Sequence, residues 1–302
     1  MRAIPPIAID AAKLTSSTVA EPAAGETVWN AGTAYVVGDR AIRTGTHRVY
    51  ERLVAGTTAT APESDTANWL DVGPTLRWAM FDTLRNSATT ATTSMTLVVT
   101  PGQRVDSIAL MGVVAESVSI SMTSGGPVVY TATDSLVLRN TLSWTNYFFG
   151  AFKYAGSAVH FDLPQYSNGI ITITISRASG TVSCGALVLG QSVYMGTVLT
   201  QAKSEALNFS SVTRDAFGNA TLVPRRTVPA TNSTLHITND MVDALRDLRA
   251  LGNATPMVWS GLDDKTQNPC FDSLLVLGVY KEFSISMENT GYGSVQLSLE
   301  EI

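Results

Sequence analysis

The sequence predicts a mainly β protein built from several small units, and three observations carry that prediction. Short runs in which apolar and polar residues alternate recur from Trp29 onward. Turn-forming Gly and Pro, 23 and 12 of them among 302 residues, punctuate those runs. Only one stretch, after Asn239, places apolar residues at helical spacing. The organisation expected is an extended arm over 1–25, a small three-stranded β module over 26–75, a β-sandwich or jelly roll over 76–198, and a C-terminal α+β unit with one helix over 199–302.

Residues 1–25 are rich in Ala, Thr, Ser and Pro without periodicity, which reads as an extended arm expected to lie on a neighbouring molecule. The texture then changes. Trp29–Ile42 alternates apolar residues with Gly-containing turns, His47–Leu53 reads as a second strand, and Trp69–Val72 as a third after a Gly/Thr/Pro loop. A sheet this small needs large aromatics simply to have a core.

The next unit is nearly pure β. Met95–Val99 precedes the turn dipeptide Pro101-Gly102, and Val105–Val114 reads as a buried-strand run. Ser117–Met122 alternates strictly, Gly125-Gly126-Pro127 turns into Val128-Val129-Tyr130, and Ile170–Ile175 and Ala186–Leu189 close the unit. In the last hundred residues Thr238 or Asn239 can cap a helix carrying Met241, Leu245, Leu248 and Leu251 on one face, with Gly252 as its stop. Strands are expected around it at Pro256–Trp259, Ser273–Tyr280, Phe283–Met287 and Ser294–Leu299.

Composition narrows the functional classes. A 45% hydrophobic fraction fills a core, but charged residues make up only 15%, against about 25% in soluble domains. The surface must then be Ser, Thr, Asn and Gly, or be covered by partners. A net charge of −5 gives no electrostatic case for nucleic acid. No run approaches the roughly 18 apolar residues of a membrane helix, and Met1-Arg2-Ala3-Ile4-Pro5-Pro6 lacks the apolar stretch of a secretory signal, so no membrane insertion is expected. Cys184 and Cys270 sit in separate strand-like segments and read as two buried, unpaired thiols in a protein made in a reducing cytosol, with a single disulfide as the alternative.

Catalytic constellations are absent from the sequence pattern. None of His47, His160 and His236 stands at a metal-ligand spacing, and Gly190-Gln191-Ser192-Val193-Tyr194 lacks the final Gly of a nucleophile elbow. Asp263-Asp264 lacks the alternate-residue ligands of a calcium loop, and Asp82 and Asp162 are isolated acids. No catalytic residue, metal or cofactor is expected, and the chain is not expected to be an enzyme. A polysaccharide depolymerase remains as an alternative, and it would need two carboxylates about 5–10 Å apart.

The most specific pattern is aromatic: Trp29, Tyr35, Gly38-Asp39-Arg40, Gly45, Tyr50, Pro62 and Trp69. This order resembles the small chitin- and cellulose-binding modules of chitinases and bacteriophage virion proteins. In that family exposed aromatic rings bind polysaccharide, so the resemblance implies Trp29, Tyr35, Tyr50 and Trp69 as carbohydrate-binding candidates. The same four rings are what a tiny sheet would use as its core, and both uses stay open. One departure bears on the choice: Tyr50-Glu51-Arg52-Leu53-Val54-Ala55-Gly56 has no aromatic beyond Tyr50, where sugar-binding members carry further rings.

The flanks extend the resemblance. Gly73–Asp82, leading into a β-rich stretch that ends at Cys184–Gly190, looks like a galactose-binding-like jelly roll of phage tail proteins. Tyr280–Met287 with its following strand looks like phage minor tail or baseplate proteins. The implied function is a structural component of a phage tail, baseplate or adsorption apparatus, residing in the virion. Its implied partners are other virion tail proteins, further copies of itself in a cyclic homo-oligomer, and a host surface glycan. The alternative is a carbohydrate-binding adhesin that contacts host polysaccharide directly.

Overall fold

A strand sends alternate side chains to opposite faces, so its burial pattern tells how many of its faces are covered. Ser117–Thr123 alternates half-buried and buried residues, whereas Ser107–Met111, Ala186–Gly190 and Met257–Ser260 are buried at every position. The computed structural model, which describes residues 1–84, 86–138, 143–150, 152–265, 268 and 270–302, shows why. The latter strands are interior layers.

The outermost layer is an antiparallel sheet ordered Val128–Ser135, Ser117–Thr123, Ile170–Cys184, Thr89–Val99, Leu14–Ser17. It faces a three-stranded sheet of Ser157–His160, Ser107–Met111 and Ala186–Gly190, with Met95, Leu97, Ile120, Ile173, Ile108, Leu110 and Leu189 buried between them. The reverse face of the three-stranded sheet, through Ala109, Met111 and Val188, packs on Ile4, Val258 and Leu277 of an eight-stranded sheet. That sheet turns Trp259, Val276, Leu297 and Leu299 to a helix, which answers with Leu245 and Leu248. The fold is therefore mainly β, a sandwich of the five- and three-stranded sheets with a helix-covered sheet behind it.

The first residues are part of these layers. Arg2–Ile4 lies antiparallel between Val193–Tyr194 and Met257–Ser260, and Leu14–Ser17 pairs with Thr89–Val99. The arm expected on a neighbour is thus built into the chain's own sheets. Ala3 and Ile4 are fully buried, but an apolar pair followed at once by Pro5-Pro6 is too short to register as a strand. The eight-stranded sheet also takes in Thr197–Val198, so it draws on residues outside 199–302.

Among the described residues there are two α-helices. The first, α1 (Trp144–Phe149), was not foreseen; Ser143 Oγ caps it by accepting the Asn146 N–H at 3.1 Å. The second, α2 (Val242–Leu251), follows a short 3-10 turn and ends at Gly252. Neither proposed cap residue supplies a side-chain cap; Asn239 Nδ2 instead donates to the Asn289 carbonyl at 2.9 Å. Leu251 is exposed, and Val242 joins Leu245 and Leu248 on the buried face. Leu275–Met287 runs as one strand, with a bulge at Tyr280/Glu282 where two strands were expected.

The low charge of the sequence has a location. The outer face of the five-stranded sheet is a lattice of hydroxyls, with Ser117 beside Ser135 and Ser176, Ser119 beside Thr133 and Thr174, and Ser121 beside Thr131 and Thr172. Neighbours bond laterally, as in Ser117–Ser176 at 2.8 Å and Thr96–Thr174 at 3.2 Å.

The small module is a sheet of Arg40–Arg43, Arg48–Arg52 and Trp69–Pro74 beside a two-stranded pair, Ala34–Tyr35 with Gly56–Thr57. Glu21 ties it to the sandwich. Its buried carboxylate accepts from Thr75 Oγ1 at 2.7 Å and Trp78 Nε1 at 3.0 Å, and meets His47 Nδ1 at 2.9 Å. The His47 ring stacks on Trp78 at 4.3 Å.

Candidate interaction surface

The four rings singled out by the sequence are the core of the small module. Trp29, Tyr35, Tyr50 and Trp69 are 8, 7, 5 and 2% exposed, and with Ala41 they form its only buried cluster among the described residues. Tyr35 meets Trp69 edge to face at 5.0 Å, and the buried Arg52 guanidinium covers Trp69 at 5.0 Å. Arg43 lies over Trp29 at 5.0 Å and is itself held by Glu63 at 3.0 Å. Tyr35 Oη accepts the Asn30 N–H at 3.0 Å. Sugar stacking needs a ring face open to solvent, and these rings are enclosed by the module itself. The carbohydrate-binding assignment at these positions is corrected to a structural one.

The polar residues considered for chemistry each have a structural partner. His160 Nε2 lies 2.7 Å from Asp134 Oδ2 and its Nδ1 lies 3.1 Å from Tyr130 Oη. The imidazole therefore bridges the two sheets of the sandwich with both ring nitrogens engaged. Burial, together with the nearby Asp134 charge, pushes the Tyr130 hydroxyl above its ordinary value, so it stays protonated in this bridge. His236 packs against Tyr292, Asp162 pairs with Arg2 at 2.8 Å, and Asp82 accepts from Ser87 and the Leu84 N–H. Asp243 and Asp247 line one cavity, but as an i, i+4 pair on α2 they sit side by side rather than across a cleft. Among the described residues no group of three or more His, Cys, Asp or Glu side chains is placed to hold a metal ion, and no helix is long and apolar enough to cross a membrane.

Exposed apolar surface gathers on the small module, through Val36, Val37, Leu53, Val54, Leu70 and Val72, and on two projections. The first is a hairpin arm. Lys203–Asn208 pairs with Thr227–Thr238 at its base, and Ser211–Arg214 continues against Ala220–Val223 to the tip. The strand Thr227–Thr238 joins the eight-stranded sheet only from Ala230 onward. From Ala206 to Arg214 the arm extends eight residues, roughly 26 Å at 3.3 Å each. None of the twenty residues 208–227 is buried, and Phe209, Val212, Phe217, Leu222 and Val223 stand exposed, Phe217 at 92%. The tip is well defined locally. Asp215 accepts from the Phe217 and Asn219 N–H groups and from the Asn219 amide, bonds that hold its carboxyl below its ordinary range, and Gly218 supplies the left-handed turn at φ +85°.

The second projection is α1. Trp144, Phe148 and Phe149 are 78, 65 and 86% exposed, and Phe152 follows. Trp144 stacks on Phe148 at 6.0 Å, and Tyr147 meets Phe148 edge-on at 5.1 Å, so the rings form a cluster in which none of the residues of α1 is buried. The ribbon carrying α1, Val137–Leu138 paired with Lys153–Tyr154, rises beside the base of the arm. Between them lies a groove of about 430 Å³ lined by Leu138, Tyr154, Pro229, Asp272, Leu275 and Glu301, among others. Two apolar projections thus flank one groove. The sequence carried a signal for α1 in Ser143 followed by aromatics at 144, 147 and 148, a helical spacing. The arm carried none beyond the Phe217-Gly218-Asn219 turn.

No protein-family model matches this chain, and no curated protein matches its sequence.

Proposed function

We propose that this chain is a structural subunit of a tailed-bacteriophage tail, baseplate or adsorption apparatus, acting by packing against other tail proteins. The observation that carries the reading is the arm. A two-stranded hairpin is marginal on its own in water, yet none of residues 208–227 is buried and the segment holds up five large, exposed apolar side chains. Such a segment is stabilised by a partner. The uncharged Ser/Thr face of the five-stranded sheet supports the same reading, because a neutral face can be covered without stranding charge. The phage setting rests on the sequence resemblances. Quantitative mass spectrometry of gradient-purified particles tests it: the chain is expected in fixed stoichiometry with the other tail proteins, and its absence from particles would overturn the reading.

The adhesin alternative keeps one observation in its favour, moved to a new place. The exposed rings of Trp144, Phe148 and Phe149 have the accessibility that sugar stacking requires. Retention of the full chain on a host glycan, abolished by Trp144→Ala, would support it; no retention on any host glycan would remove it.

A further inference from the structure

We infer that the arm docks on a second copy of this chain, with Phe217 entering the groove between the α1 ribbon and that copy's arm base. This rests on the subunit reading and names the partner. Charge is the first argument. Over 203–232 the arm holds Lys203, Arg214, Arg225 and Arg226 against Glu205 and Asp215, a balance of +2 on a chain of −5, so the remainder of each copy stands at −7. The arm is therefore complementary in net charge to the body of its own kind, while the two acids at the groove are held within their own chain, Glu301 by Arg226 at 2.7 Å and Asp272 by Lys265 at 3.3 Å.

Size is the second argument. One side of a standard protein interface uses about 20–30 residues, and the arm offers twenty, none of them buried, tied to the body of its own chain at its base through Arg226 and Glu301. Fit is the third. The groove is large enough for a phenyl ring, and its apolar wall of Leu138, Tyr154 and Leu275 suits one. A tip-to-groove contact between copies is heterologous, so it closes into a ring where the rotation permits.

The test uses the purified full chain. Sedimentation and light scattering are expected to show a concentration-dependent closed oligomer. Phe217→Ala should weaken that self-association roughly thirtyfold, as truncation of a buried aromatic anchor does. A chain carrying Phe217→Cys and Leu138→Cys, with Cys270→Ala to remove the exposed native thiol, should cross-link between chains on oxidation. The same pair cannot close within one chain, because the arm holds the tip far beyond disulfide reach. Shortening the hairpin to an Asn-Gly turn after Asn208 should give a folded monomer.

Four results would overturn the inference. A full chain that stays monomeric while being present in particles removes the second copy and leaves the subunit reading intact. An oligomer indifferent to Phe217→Ala, or one that yields no cross-link, removes the arm-in-groove contact. A shortened chain that cannot fold would show the arm to be part of its own core.

Discussion

Replacing Trp69 by alanine separates a core ring from a binding ring. Trp69 is 2% exposed, abuts Tyr35 and lies under Arg52, whose guanidinium is buried with it. Removing a buried Trp costs about 3–5 kcal/mol, including the loss of the Tyr35 contact. A unit the size of residues 26–75 has in total roughly 2–7 kcal/mol of stability at the usual yield per residue. Trp69→Ala should therefore unfold the small module while the sandwich, whose core does not include Trp69, remains folded. Hydrogen exchange read by mass spectrometry checks this: peptides covering Arg40–Arg52 and Trp69–Pro74 should lose protection, and peptides covering Met95–Met122 should keep it. Trp144→Ala, at a ring 78% exposed, should leave both regions unchanged and shift stability by less than about 0.5 kcal/mol. If Trp69→Ala leaves the module protected, the assignment of these aromatics to the core is wrong.

Further expectations follow from the same packing. Glu21→Ala strands the donors of Thr75, Trp78 and His47, and should cost about 2–4 kcal/mol in urea unfolding; a loss below 1 kcal/mol would mean the knot contributes little. Cys184 is buried with its thiol pushed up to about 12, whereas Cys270 is exposed, and both are free. A thiol reagent at neutral pH should titrate one cysteine in the native protein and two after denaturation, and fast reaction of both would contradict the burial of Cys184. Gly278 leaves no room for a side chain, since a Cβ there would lie 1.9 Å from the Glu300 carbonyl oxygen across the strand pair. Gly278→Ala should cost about 1–3 kcal/mol or more, and a thermal scan showing no change would refute that constraint.

What the sequence made legible were features with a repeating physical cause. The buried-strand run within 105–114 and the strict alternation at 117–122 correspond to Ser107–Met111, covered on both faces, and Ser117–Thr123, covered on one. The helix after Asn239 showed through its periodicity, although its cap did not, because Asn239 is drawn into a contact with Asn289 that no local pattern encodes. Arg2–Ile4 was lost for a related reason: three residues gain strand identity only from partners at Val193–Tyr194 and Val258–Ser260, far along the chain. At the module the rings were found but not their use, since the same spacing serves a platform or a core and only burial separates the two. The arm was invisible because a hairpin without a buried face has no alternation to read, and that missing face is what makes it a candidate for contact with another molecule.

Exchange at the arm tests that account most directly. Amides from 208 to 227 should exchange rapidly in the dilute isolated chain and become strongly protected in the assembled particle, with the tip at Phe217 among the protected sites. Equal, rapid exchange of the arm in both states would contradict the claim that it exists to be covered by a partner.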